Sequence, residues 1–387
     1  MTLLADPESA AAFCRRLMKA PYVTVDTEFI RDRTYWPKLC LLQMAGPEEA
    51  AAIDTLAPGM DLSPVLALLE NRDVLKVFHA ARQDIEIFYH LSGRIPLPLF
   101  DTQVAGMVCG FGEAVAYETL VAKLAKAHID KTARFTDWAH RPLTKRQTDY
   151  ALSDVVHLRT VYEKLHRRLD ESGRAGWLDE EMATLTDPET YKLEPWAAWR
   201  RVKTRSHNRR LLALLRELAA WREAEAQTRD VPRNRVLRDE ALLEIAGHTP
   251  STRAELARCR SVSRGVAEGP MGAAILEAVA RGAAVPERER PEPPPRAELP
   301  AGLKPVVELL KVLLKMKCED FGVAQKLVAS TADLEMLVAR DDAPVAALHG
   351  WRREVFGEDA LTLKHGRLAL TVRDNRVMLA PAADGGP

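Results

Sequence analysis

Short runs of β-forming residues alternate with segments of helical period over the first half of the chain. Tyr22–Val25, Leu39–Met44 and Ala51–Asp54 predict three strands separated by polar or Gly-Pro turns. Leu62–Leu69 predicts a helix, with Ser63-Pro64 as its cap and first-turn proline. A strand is expected at Val74–Phe78, a helix at Arg82–Leu91, a strand at Pro98–Phe100 and a helix from Thr102. Glu118–Ala127 and Lys145–Leu169 continue the helical periodicity. Three adjacent strands followed by strand–helix alternation predict a mixed sheet flanked by helices.

Beyond about Trp177 strand signals nearly vanish. Leu211–Ala226 is amphipathic, Ala241–Ala246 and Ile275–Ala280 are shorter helical segments, and Thr252–Glu255 reads as a capping box. Gly282 is expected to end this unit. Val285–Pro300, rich in Pro, Glu and Arg, is expected to be an extended, exposed linker. Val306–Met316, Val323–Ala329 and Pro344–Phe356 predict helices, and Leu361–Leu363 with Leu368–Val372 a hairpin around His365-Gly366. The resulting division is 1–170, a connecting segment 171–206, a helical unit 207–284, the linker 285–300, and a small, mainly helical unit 301–380.

At 387 residues and 47% hydrophobic, the chain has material for two or three packed cores. It shows no apolar run of membrane-spanning length and no secretory signal pattern. Its five widely spaced cysteines, without a Cys-x-x-Cys, fit reduced thiols in a cytoplasm. The net charge of zero gives no overall sign of nucleic-acid binding. Locally, Arg200–Arg210 and Arg229, Arg233, Arg235 and Arg238 form a basic cluster suited to phosphates. The alternative is a solvated helix face balanced by Glu217, Glu223 and Glu225.

The chemistry concentrates in four carboxylates and a tyrosine. Asp26 and Glu28 share one face of a strand, and Tyr150 and Asp154 share one face of a helix. Asp84 falls in the first turn of a helix that follows an apolar strand. Taken singly, each has an ordinary explanation as a turn residue, cap or surface hydrogen bond. Together they sit where strand ends and helix starts converge on one crevice, and four acids there demand cations. Carboxylate oxygens suit two divalent ions, Mg²⁺ or Mn²⁺, flanking a phosphodiester. In this reading Asp26 bridges the ions, Glu28 and Asp154 complete the water-activating one, and Asp84 serves the leaving-group side. Tyr150 orients the attacking water or, if a nearby metal lowers its pKa, removes a proton from it.

Asp-Thr-Glu-Phe at 26–29, His-Ala-x-x-x-Asp at 79–84 and Tyr-x-x-x-Asp at 150–154 resemble the three motifs of the DEDD exonuclease superfamily, in its tyrosine branch. The stretches 26–43, 98–103 and 136–147 are similar to the ribonuclease D family. Residues 219–226 and 230–240 resemble an HRDC domain, and 301–380 is similar, more weakly, to a second. The resemblance implies a ribonuclease H-like exonuclease domain followed by two HRDC-like domains. It implies a 3′→5′ exoribonuclease that trims tRNA precursors and other structured RNAs to nucleoside 5′-monophosphates, with no nucleotide cofactor and no membrane partner. The competing readings are a 3′→5′ DNA exonuclease and a non-catalytic RNA-binding protein. His79 is a candidate for a phosphate contact and Phe29 for stacking on the terminal base, with Arg31 and Trp36 weaker candidates.

Overall fold

The computed structural model describes residues 2–293 and 302–382. Its sheet is built from β1 (Thr2–Leu4), β2 (Tyr22–Ile30), β3 (Lys38–Ala45), β4 (Ala50–Asp54), β5 (Leu75–Phe78) and β6 (Leu99–Asp101). The strand order is β1-β4-β3-β2-β5-β6, with β3 antiparallel to both neighbours and the other pairings parallel. The mixed sheet and its flanking helices follow the predicted layout. Neither β1 nor α1 (Pro7–Leu17) was expected; α1 is capped by Asp6, whose side chain accepts from the Ser9 amide, and buries Ala10, Phe13, Cys14 and Leu17.

β2 runs past Val25, so Asp26 and Glu28 lie within the strand rather than beyond its end. The antiparallel ladder to β3 holds it there, pairing Asp26 with Gln43 and Glu28 with Leu41. On the opposite side the parallel ladder to β5 stops at Thr24. The crevice opens where that ladder ends. A register shift between Glu28 and Phe29 marks the strand's departure from regular pairing.

The helices pack around the sheet and frame this opening. α2 (Ser63–Glu70) packs against α1, and α3 (Arg82–Ser92) leaves the end of β5 with Asp84 in its first turn. α4 (Thr102–Val108), α5 (Tyr117–Leu120) and a π turn at Val121–Ala125 follow, the last two replacing the single helix expected over Glu118–Ala127. α6 (Lys145–Ser172) starts at a Thr144–Gln147 capping box and lays Ala151, Leu152, Val155, Leu158 and Leu165 on the sheet. The Thr24 hydroxyl donates to the Val155 carbonyl at 2.8 Å, fixing α6 along β2. α7 (Ala175–Leu185) was not expected either.

A second core joins Arg209–Thr228, Asp239–His248 and Pro270–Ala284 through Leu215, Leu218, Leu242, Ile245, Ile275 and Val279. Gly282 does not end this unit, since the helix continues to Ala284; a Cβ there would meet Leu214 Cα at 2.7 Å, so the glycine permits close helix packing. The linker's first residues are anchored, not free: Arg209 and Arg216 donate to the carbonyls of Arg290 and Glu289. Residues 294–300 of the expected linker lie outside the described residues. The C-terminal unit contains Lys304–Phe321, Gln325–Val328, Thr331–Ala339 and the successive segments Gly350–Arg352, Arg353–Gly357 and Glu358–Lys364. The hairpin lies further along the chain than expected. Leu361–Leu363 are helical, and Leu368–Arg373 pairs instead with Arg376–Pro381, turning at Asp374-Asn375 with φ of 50° and 59°.

Candidate active site

All five proposed catalytic side chains, with His79 and Phe29, line one cleft of about 750 Å³. One oxygen each from Asp26, Glu28 and Asp154 lies within 4.8 Å of the others. Asp84 stands slightly aside: it is buried, and its Oδ1 accepts a 2.5 Å hydrogen bond from the Thr27 hydroxyl. Asp101, within the stretch 98–103 but not proposed there for any role, shapes the turn that delivers Asp84. Its carboxylate accepts from the amides of Ala80, Ala81 and Gln103 at 3.0, 2.8 and 2.7 Å. Those bonds stabilise Ala80 at φ 59°, a left-handed conformation costly for a residue with a Cβ.

The acids raise one another's proton affinity. Burial lifts Asp26 to about 7, and burial followed by the charge of Asp26 lifts Asp154 to about 8. Burial and the charges of Asp26, Asp154 and Asp84 push Glu28 up to about 10. Asp84 is held well above the carboxylate range, first by burial and then by Asp26. Arg134 opposes the build-up at Glu28 and Asp154 without offsetting it. This all-oxygen set of crowded carboxylates fits hard divalent cations, which would displace the protons.

Tyr150 stands half-buried beside Asp154, and burial with the charges of Asp154, Glu28 and Asp26 strongly raises its pKa. Tyr117, unmarked by any sequence motif, donates its hydroxyl to the Asp154 carbonyl and anchors that turn of α6. His79 holds Thr102 Oγ1 at 3.0 Å through Nδ1, and burial lowers its pKa, leaving it neutral at pH 7. Phe29 is partly exposed in the cleft instead of packed in the core. Arg31 is committed to a bidentate pair with Glu86, and Trp36 stacks on His90 at 4.1 Å. Neither Arg31 nor Trp36 is among the residues lining the cleft. The rim carries two residues that the sequence did not single out, Arg134 and Phe135; Phe135 is 90% exposed with the Arg134 guanidinium 5.2 Å from its ring.

The basic cluster divides. Arg201 and Arg233 pair with Glu223, and Arg229 with Glu225. Among the described residues Arg200, Lys203, Arg205, Arg210, Arg235 and Arg238 make no ion pair within 4.0 Å.

A ribonuclease H-like sheet with these acids beside the end of the β2–β5 ladder defines a 3′-5′ exonuclease domain, and the 3′-5′ exonuclease family profile matches residues 1–170. The HRDC domain profile matches residues 212–279. Ribonuclease D of Granulibacter bethesdensis is 52% identical over 379 residues, covering 98% of this chain and 96% of its own. Ribonuclease D of Nitrobacter hamburgensis is 51% identical, covering 98% and 99%. The crystal structure of Escherichia coli RNase D, described as an exoribonuclease involved in structured RNA processing, is 29% identical with a TM-score of 0.80, covering 94% of this chain and 98% of that one. The chain belongs to the ribonuclease D family of exoribonucleases. Among the described residues no helix is long and apolar enough to cross a membrane.

Proposed function

We propose that the protein trims the 3′ ends of tRNA precursors and other structured RNAs, releasing nucleoside 5′-monophosphates by two-metal hydrolysis. The convergence of Asp26, Glu28 and Asp154 within 4.8 Å, beside Asp84 and Tyr150, is the observation that carries this reading. Asp26, Glu28, Asp154 and Asp84 would hold the two cations, Asp26 shared between them, Glu28 and Asp154 on the side of the attacking water and Asp84 on the leaving-group side. Two Mg²⁺ or Mn²⁺ ions, when bound, supply Lewis acidity to the scissile phosphate and lower the pKa of water. Tyr150, kept protonated first by burial and then by the neighbouring acids, orients that water by hydrogen bonding rather than removing its proton. Phe29 and Phe135 offer faces to unpaired bases, and Arg134 offers charge to the phosphates. A phosphate contact from neutral His79 is a hydrogen bond, not an ion pair.

Incubation with 3′-extended tRNA and with single-stranded DNA, in Mg²⁺ or Mn²⁺, tests the proposal. Monophosphate release from the RNA is expected, and it should disappear in Asp26→Asn while RNA binding persists. Preference for DNA would favour the deoxyribonuclease reading. Hydrolysis of neither substrate would sink both.

A further inference from the structure

We propose that Glu244, His248 and Cys259 form a binding site for a zinc-like divalent cation, separate from the nuclease cleft. One ligand atom from each lies within 4.8 Å of the other two. Ligands of a single tetrahedral zinc, with bonds of about 2.0–2.3 Å, stand roughly 3.3–3.8 Å apart. The remaining gap, at most about 1–1.5 Å, is closed by small shifts of the three side chains rather than by reorienting any of them.

Glu244 and His248 occupy one face of the helix Asp239–His248, four residues apart, and Cys259 reaches them from the segment after Arg253–Leu256. Two of the three ligands are already oriented by hydrogen bonds. His248 Nδ1 lies 2.9 Å from the Glu244 carbonyl, which can only accept, so Nδ1 carries the proton and Nε2 keeps its lone pair. That backbone bond is the usual partner of a metal-ligating imidazole. The Glu244 carboxylate is fixed by the amides of Arg260 and Ser261 at 2.7 and 2.9 Å, with lone pairs remaining. Cys259, buried in the second apolar core, brings its thiol to the same two side chains. The site also stands at the C-terminal end of the helix, where the backbone dipole favours a cation. A sulfur, a nitrogen and an oxygen select zinc over the Mg²⁺ or Mn²⁺ suited to the carboxylate cleft. Water would complete the tetrahedron, and the cation would fasten the helix to the segment carrying Cys259.

Cobalt separates the two sites, because only this one offers sulfur. Co²⁺ is titrated into the reduced, metal-free full-length protein while the near-ultraviolet thiolate-to-cobalt charge-transfer band is followed. The band should saturate at one equivalent per chain, fade when Zn²⁺ is added, and persist in Asp26→Asn. Cys259→Ser should abolish it, and His248→Ala, at an exposed position, should weaken binding about 10–100-fold. Absence of the band in the unaltered protein overturns the proposal. So does a band that survives Cys259→Ser or an affinity that His248→Ala leaves unchanged; the histidine variant decides alone if the serine variant fails to fold.

Discussion

Replacing Asp26 by Asn is expected to stabilise the metal-free protein while silencing it. Burial lifts this carboxyl from 3.8 to about 7, opposed by the Thr27 amide. In the unfolded chain it ionises at its ordinary value, so between about pH 4 and pH 7 the folded state holds a proton that the unfolded state has lost. Stability therefore falls as pH rises through that window, and above it the full penalty is present. At about 1.4 kcal/mol per tenfold change in proton affinity, the penalty is at most about 4 kcal/mol. Asp26 opens partly to the cleft, and solvent screening brings the expected gain from Asp26→Asn to about 1–3 kcal/mol. Thermal unfolding of both proteins in chelator at pH 8 and pH 4 measures it. At pH 8 the variant should melt several degrees higher, at about 2–4 °C per kcal/mol. The gap should close near pH 4, and added Mg²⁺ should raise the parent more than the variant. A variant no more stable than its parent at pH 8 would refute the claim that crowded acids strain this fold.

Tyr150→Phe should lower kcat about 10–100-fold with Mg²⁺ affinity unchanged, as single-turnover assays and calorimetry would report; an undiminished rate removes the hydroxyl from the mechanism. Phe135→Ala should raise KM for single-stranded 3′ ends by roughly 5–100-fold, the equivalent of ~1–3 kcal/mol of base stacking, and leave kcat near that of the parent, whereas Phe135→Tyr should restore binding. An unaltered KM would leave this exposed ring without a role in substrate binding. Arg352→Ala should cost about 2–3 kcal/mol in urea unfolding, below the ~3–5 of a fully buried pair because Glu180 is half exposed. A loss under about 0.5 kcal/mol would show that the C-terminal docking does not depend on this guanidinium.

The sheet was legible because its strands carry dense β-forming runs bounded by turn residues, and α6 because its apolar spacing is sustained over many turns. α1 is legible too, in Asp6-Pro7 and the spacing of Ala10, Phe13, Cys14 and Leu17, although the expected layout omits it. The misplaced hairpin has a different cause. Leu361–Leu363 alternates as a strand would, but the helix arriving through Gly350–Arg352 and Arg353–Gly357 carries straight into it. The true turn, Asp374-Asn375, lacks the glycine that usually announces one. Within the site, spacing alone paired Asp26 with Glu28 and Tyr150 with Asp154. Thr27 and Asp101 lie inside the stretches that carry the resemblance and Tyr117 outside them, but the roles of all three rest on tertiary hydrogen bonds that no local spacing encodes.

Tertiary packing also changes what the helical regions mean. Treated as separable grips, residues 207–387 could be deleted and the outcome read as weakened RNA affinity. The packing opposes that reading. Tyr35 donates to the buried Glu223 at 2.5 Å, and Asp230 accepts from the amides of Tyr35 and Trp36 at 3.0 Å each, so the first helical unit closes onto the loop after β2. The C-terminal unit is more deeply joined: Leu310, Leu313, Val355 and Phe356 belong to the same continuous core as Val108 and Leu165. Trp351 stacks on Trp177 at 4.2 Å, the Ala324 amide donates to Met107, and Arg352 is buried against Glu180 and Glu181. Deletion would therefore uncover the nuclease domain's own apolar surface and confound affinity with folding. Charge reversal at Arg200, Lys203 and Arg210 leaves those cores intact. If these residues hold phosphates, the variant's RNA affinity should fall and its salt dependence should flatten by roughly one counterion for each phosphate no longer neutralised. An unchanged salt slope would assign the cluster to solvated surface, whatever the truncated protein does.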